Sequence, residues 1–215
     1  MKPKMFDYDL DDVDDNGIYT VAAVAGAGAL TLAGALVTGT VATMDYARRI
    51  AQITAGNDAG ITFTYVGTDA DGLPLTEILA GGAGTPSTET TTGYFKTITS
   101  ITASGAAAGN VTIGTVDEIK SQTVPIDWAS DSPCAIHVDI TGTINYTVQE
   151  TFSAIHGATS TVVQSAAWTD ITAFAAGAID VKGTATAGAT AIRLVVNTHS
   201  SAAEAQMYVS QPVRG

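Results

Sequence analysis

The stretch TVAAVAGAGALTLAGALVTGTVATM, residues 20–44, contains no charged side chain. About 20 apolar residues suffice to cross a bilayer as a helix, so its length alone permits a membrane span. Its contents argue otherwise. Gly26, Gly28, Gly34 and Gly39 and five threonines interrupt it, and only three leucines and four valines supply bulk. The run itself holds none of the aromatic or basic anchors that mark the interfaces of a membrane span, and its left flank is an acidic block. A secretion signal is excluded by the same flank, because a basic segment must directly precede the apolar one. Here six aspartates separate Lys2 and Lys4 from the run. Leu30, Leu32, Leu36 and Val41 stand among small residues, and AGAGALTLAG reads as strand, turn and strand. No membrane association is expected.

Composition points the same way. The 215 residues are long enough for a proper core, and 14% of them are charged, against the usual quarter. Many Thr, Val and Ile side chains with few charges favour pleated sheet. The net charge is −12, and the nine basic residues are scattered apart from Arg48-Arg49. Nucleic acid binding needs clustered cations that displace counterions from phosphates, so no nucleic acid partner is expected. A single cysteine, Cys134, rules out an intrachain disulfide.

Three sections are expected. Residues 1–17, MKPKMFDYDLDDVDDNG, form an acidic N-terminal arm in which Met5, Phe6, Tyr8 and Leu10 interleave with aspartates. A chain end is loose unless tied down, and these four residues are the predicted partner-docking set. Residues 18–119 form a β-rich N-terminal domain with strands at RRIAQIT (48–54), GITFTYVG (60–67), LPLTEILA (73–80), TTTGYFKTITSITA (90–103) and NVTIGTV (110–116). Residues 120–215 form a C-terminal β-sandwich. CAIHVDITGTINYTVQETF (134–152) is one long or broken strand there, with Ile136, Val138, Ile140, Ile144, Tyr146 and Val148 on one parity. WTDITAF, ATAIRLVVNT and AEAQMYVSQ follow as strands. Short strands between Gly, Asn and Asp turns predict an all-β chain of sandwich or jelly-roll-like modules.

Candidate chemistry is thin. DVDDNG (12–17) matches the first half of a calcium loop, with Asp12, Asp14 and Asn16 as ligands and Gly17 at the turn. The twelfth position, which should be a bidentate Glu, is Ala23. A solvated acidic turn accounts for the motif without a metal. DADG (69–72) lies between two strands and predicts a hairpin turn. Cys134 and His137 form CxxH, and His137 shares a strand face with Asp139, but one such pair cannot fill a tetrahedral metal site. His156 and His199 are distant in sequence. Trp128 and Trp168 are isolated and expected in the core. Nucleophile, phosphate-loop and zinc-protease signatures are missing, so neither a catalytic site nor a cofactor is expected.

The segment 48–115 contains RRIAQITAGNDAG, ITFTYVGTDADG, TE, YFKTITSI and AGNVTIGT in that order. With LTLAGAL (30–36) before it, this succession resembles a pattern in virion structural proteins of tailed bacteriophages. INYTVQETF, WTDI and AIRLVVNT resemble a second module of the same proteins. The chain departs from the pattern in its alanine-rich 153–167 region and its aspartate arm. The resemblance implies a virion component assembled in the host cytoplasm: a capsid decoration (cement) protein bridging neighbouring capsomers. Its partners would then be the major capsid protein and copies of itself, in a homotrimer or another small ring. Two alternatives stand beside it: a tail, head-to-tail or fibre protein of the same virion, and, in another class, a secreted carbohydrate-binding β-sandwich.

Overall fold

The structure is a computed structural model that describes residues 3–130, 132–155 and 164–211. Strands make up 55% of it. In chain order they are β1 (Lys4–Leu10), β2 (Tyr19–Ala23), β3 (Gly28–Ala29), β4 (Val37–Thr38), β5 (Val41–Thr54), β6 (Thr62–Thr68), β7 (Pro74–Ala80), β8 (Ser87–Thr90), β9 (Phe95–Ala103), β10 (Asn110–Lys120), β11 (Val124–Pro125), β12 (Ala135–Thr141), β13 (Ile144–Thr151), β14 (Thr169–Asp170), β15 (Val181–Thr184), β16 (Ala191–His199) and β17 (Ala203–Ser210). A 3-10 turn, Thr172–Phe174, follows β14. The chain is all-β and sandwich-like, as its composition predicts. The 20–44 stretch supplies β2, β3, β4 and the start of β5. No helix among the described residues is long and apolar enough to cross a membrane.

Two compact units result: Met1–Asp12 with Lys120–Gly215, and Val13–Ile119. Residues 1–17 do not stand apart as an extended arm. Their first part forms β1, which runs antiparallel to β17, and the boundary between the units falls inside the acidic motif. The arm expectation is corrected for a physical reason. Phe6, Tyr8 and Leu10 recur every second residue, and β17 offers them a ladder and a row of small or flexible neighbours.

The unit containing both chain ends has a four-stranded antiparallel sheet in the order β1-β17-β12-β15. A second set of strands runs β14-β13-β16, with β11 also on β16. The 134–152 stretch breaks at Gly142, whose φ of 82° favours a residue without a β-carbon. The break sends β12 into the first sheet and β13 into the second while keeping their parity. Ile136, Val138, Ile144, Tyr146 and Val148 are all buried. They share the interior with Ile192, Leu194 and Val196 of β16 and Met207 and Val209 of β17. The Tyr146 hydroxyl donates to the Ile179 carbonyl at 2.8 Å. Burial, aided by the charges of Asp180 and Asp139, pushes that phenol up to about 12.

The other unit runs β10-β5-β9-β6-β7, with β2 on β10, β3 on β9, and β4 and β8 on β5. Its core holds Ile18, Met44, Ile50, Phe63, Tyr65, Phe95, Ile98, Ile101, Val111 and Ile113. Leu30, Leu32 and Leu36 from the charge-free stretch pack against it. The Tyr65 hydroxyl donates to Gln52 Oε1 at 2.7 Å, and its ring lies 6.3 Å from that of Phe95. DADG forms the β6–β7 turn as expected: Gly72 N–H donates to the Asp69 carbonyl, Asp71 and Leu73 N–H to its carboxylate, and Gly72 takes a φ of 75°.

Charge enters this core where the ladder fails. The β5–β9 register shifts between Thr43 and Arg48. Within that irregularity Lys96 Nζ donates to the Met44 and Asp45 carbonyls, each at 2.6 Å. Arg48, 1% exposed, clasps the Asp45 carboxylate through Nε at 2.7 Å and Nη2 at 2.6 Å, and its Nη1 donates to the Val116 carbonyl. Buried backbone acceptors that lose their strand partners need other donors, and these two cations provide them. Burial lowers the Lys96 ammonium pKa, with Asp45 pulling it the other way.

A second irregularity lies between Val66 and Gly67 on β6. A β-carbon on Gly67 would sit 1.9 Å from the Thr97 carbonyl oxygen, which is backbone and cannot yield cheaply. Gly26 has nothing within 4 Å. Gly67→Ala is therefore expected to destabilise this unit by about 1–3 kcal/mol or more, and Gly26→Ala to stay within about 0.5 kcal/mol. Urea unfolding of the two variants beside the wild type checks the contrast.

Candidate functional site

Strand alternation sorts the four-stranded sheet β1-β17-β12-β15 into two faces. Phe6, Tyr8 and Leu10 turn inward with Ala205, Met207, Ile136 and Val138. The other face is built in rows set by the register. Met5 stands opposite Tyr208, Tyr208 opposite His137, and His137 opposite Lys182. The next row is Asp7, Gln206 and Asp139, and the one after it Asp9, Glu204 and Thr141. Four carboxylates thus share one face with a polar aromatic row. His137 Nε2 lies 2.8 Å from Asp139 Oδ1, and its ring stacks on Tyr208 with centroids 5.8 Å apart. The Tyr208 hydroxyl donates to Gln206 Oε1 at 2.8 Å.

The N-terminal docking set is split by this alternation. Met5 is 54% exposed, Phe6 half-buried, and Tyr8 and Leu10 are 7% and 2% exposed. Tyr8 and Leu10 are therefore corrected from partner-docking residues to core residues of their own unit. They face Ala205 and Ala203 across the β1–β17 ladder, where a small residue leaves room for a large one. Met5, the fourth of the set, lies on the opposite face by strand parity, across from Tyr208.

The calcium-like motif serves the backbone. The Asp14 carboxylate accepts from Asn16 N–H at 3.1 Å, and its carbonyl from Gly17 and Thr115 N–H. Asp14 N–H donates to Thr115 Oγ1 at 3.0 Å. These bonds make an Asx turn docked on β10, with Asp12 and Asn16 exposed. Among the described residues no three His, Cys, Asp or Glu side chains group as a metal site.

Cys134 is buried, and its thiol is pushed up to about 11, chiefly by that burial. Such a thiol is neutral near pH 7 and a poor nucleophile. His199 Nδ1 lies 3.1 Å from the Ser200 carbonyl, and His156 lies outside the described residues. The tryptophans are not core residues as expected. Trp128 is 59% exposed, and Trp168 is half-buried beneath Arg193, whose guanidinium carbon lies 4.0 Å from the ring centre. A cation can cover an aromatic face as an aliphatic neighbour would, which nothing in the local sequence around Trp168 announces. A shallow groove of about 270 Å³ is lined by Tyr19 and residues 23–31, all uncharged.

Comparison with protein families, with curated proteins and with solved structures returned no significant match to this chain.

The burial split makes a direct prediction. Leu10→Ala is expected to lower stability by about 2–5 kcal/mol, the range for emptying a buried leucine site. Met5→Ala is expected to change it by less than about 0.5 kcal/mol. Denaturant titration of both variants measures the difference.

Proposed function

We propose that this chain is a structural component of a tailed-phage virion that decorates the capsid and cements neighbouring capsomers. One observation carries the reading. The segment 48–115, whose succession of motifs resembles phage virion proteins, corresponds to β5 through β10 of one compact unit. The quoted motifs land on that unit's structural joints: ITFT on β6, DADG on the β6–β7 turn, YFKTITSI on β9 and NVTIGT on β10. A resemblance spread over strands and the turns between them supports reading the segment as a folding module.

The partners in this reading are the major capsid protein and further copies of the chain. The face carrying Met5, Tyr208, His137 and Lys182 is the docking surface toward the shell. It is rich in hydrogen-bonding groups and ordered by the sheet beneath it, so little conformational entropy is lost on contact. Its carboxylates suit a basic capsid surface and oppose packaged DNA.

The test is the composition of particles that contain this chain. Quantitative mass spectrometry and electron cryomicroscopy are expected to find it on the shell, in copy number proportional to the capsomers. A few copies confined to one vertex or to the tail would transfer the chain to the tail or fibre alternative. Its absence from purified particles would end the proposal.

A further inference from the structure

Strand β7 ends its sheet. Among the described residues it pairs along its length with β6 alone. An open edge exposes backbone donors and acceptors, and proteins ordinarily blunt it with lysine, proline, a bulge or a covering loop; Pro74 does so at the start of β7, and the stretch from Leu75 to Ala80 holds no further proline and no lysine. The sequence of β7, PLTEILA, holds one charge, that of Glu77. That charge is turned away from the exposed face: its two carboxylate oxygens accept from Thr92 N–H at 2.6 Å and Gly93 N–H at 2.7 Å. Ile78 points the other way and is 65% exposed.

The face around Ile78 is also free of charge. Rows across β7, β6 and β9 read Ile78, Thr64, Thr102 and Thr76, Val66, Ser100. Two copies of a chain with a net charge of −12 repel each other over most of their surfaces. This neutral face and open edge let them meet without that repulsion.

We infer that β7 is a self-association edge, pairing antiparallel with β7 of a second copy to form a two-fold dimer. The symmetry constrains the register. A two-fold axis normal to the sheet keeps outward residues outward, so even-numbered residues meet even-numbered ones. Centring the axis on Glu77 would oppose two like charges, which is unfavourable. Centring it on Ile78 sets Ile78 against its own copy, Thr76 against Ala80, and Glu77 against Leu79. The ladder supplies affinity through backbone bonds, and the isoleucine pair supplies the apolar contact. This deepens the self-association part of the proposed function and rests on that part, not on the virion assignment.

Sedimentation or light scattering on the purified chain tests it. The wild type is expected to be a dimer. Ile78→Lys, which sets two ammonium groups face to face, is expected to raise the dissociation constant roughly tenfold or more while leaving the far-ultraviolet circular dichroism of the folded chain unchanged. Ile179→Lys, at a 71% exposed site in the other unit, is expected to leave the dimer intact. Ile78→Cys under mild oxidation is expected to yield a covalent dimer, because opposed residues on antiparallel strands lie about 4.5–5.5 Å apart at Cα, within disulfide reach. Buried Cys134 leaves the wild type uncrosslinked. A monomeric wild type, a larger ring, an Ile78→Lys protein that dimerises as tightly as wild type, or an Ile78→Cys protein that does not crosslink would each overturn the inference. None of these outcomes decides whether the chain is found on capsids, so the two proposals fail separately.

Discussion

Strand β17 lies between β1 and β12, and the unit that contains it depends on that placement. It joins the first described strand of the chain to the second half through two complete ladders. Its inward residues are small where its neighbours are large: Ala203 and Ala205 stand opposite Leu10 and Tyr8, and Ala205 also stands opposite Ile140. Larger residues at 203 and 205 would compete with those side chains for one layer of interior, and overpacking a sheet core is as costly as leaving a cavity. The pairing also spans nearly the full length of the chain. Loop closure is entropically unfavourable, though only slowly more so with length, and here it is offset by apolar burial along β1. Without that burial, the aspartates at 7, 9, 11 and 12 would leave the segment solvated and loose.

The second unit solves a related problem with charge. Its long strand β5 shifts partner along its length, from β9 to β8. At the shift, ladder bonds are interrupted and carbonyls turn into the protein. Lys96, Asp45 and Arg48 gather there. A buried ion pair contributes little net stability compared with an apolar replacement, but removing one partner leaves an uncompensated charge. The cluster therefore satisfies the buried groups at the register shift more than it adds to stability. Arg49 extends this order outward: its guanidinium bonds both oxygens of Glu118 at 2.8 Å. The sequence pair Arg48-Arg49 thus divides into one buried structural cation and one half-exposed partner of β10.

Local chemistry was legible, and partners distant in sequence were not. GITFTYVG, DADG and LPLTEILA spell a hairpin because alternation and turn residues are neighbours in the chain. The shared parity from Ile136 to Val148 survived a break into two sheets because Gly142 turns the chain without changing which face is apolar. WTDITAF read as a strand, yet only Thr169–Asp170 pairs and a 3-10 turn follows. Short apolar runs do not declare their period. The fate of the N-terminal segment was invisible for a different reason. Its alternation announced a strand face as clearly as a docking face, and only the presence of β17 decides between them. The tryptophans failed similarly: size predicts burial on average, but Trp128 falls in a turn where no second layer covers it, and Trp168 is covered by a cation. For the proposed surface, the sequence singles out Met5, whereas His137 and Tyr208 beside it are joined to it only by the register of three strands.

The distribution of charge connects fold to function. A chain with few charged residues and a net charge of −12 places some of its carboxylates as a set on the outward face of the β1-β17-β12-β15 sheet. The β7-β6-β9 face of the other unit carries rows of threonine and aliphatic residues. Sheet alternation makes such separation simple, because every second position can change polarity without touching the core. The acidic face repels copies of the same chain and favours a basic partner. The neutral edge permits backbone pairing and has little else to offer a solvent-facing protein. A monomer working alone would gain stability against aggregation from one lysine on β7, at almost no structural penalty. In the dimer proposed above, such a lysine would meet its own copy across the two-fold axis, and the edge from Leu75 to Ala80 is covered by a second chain instead.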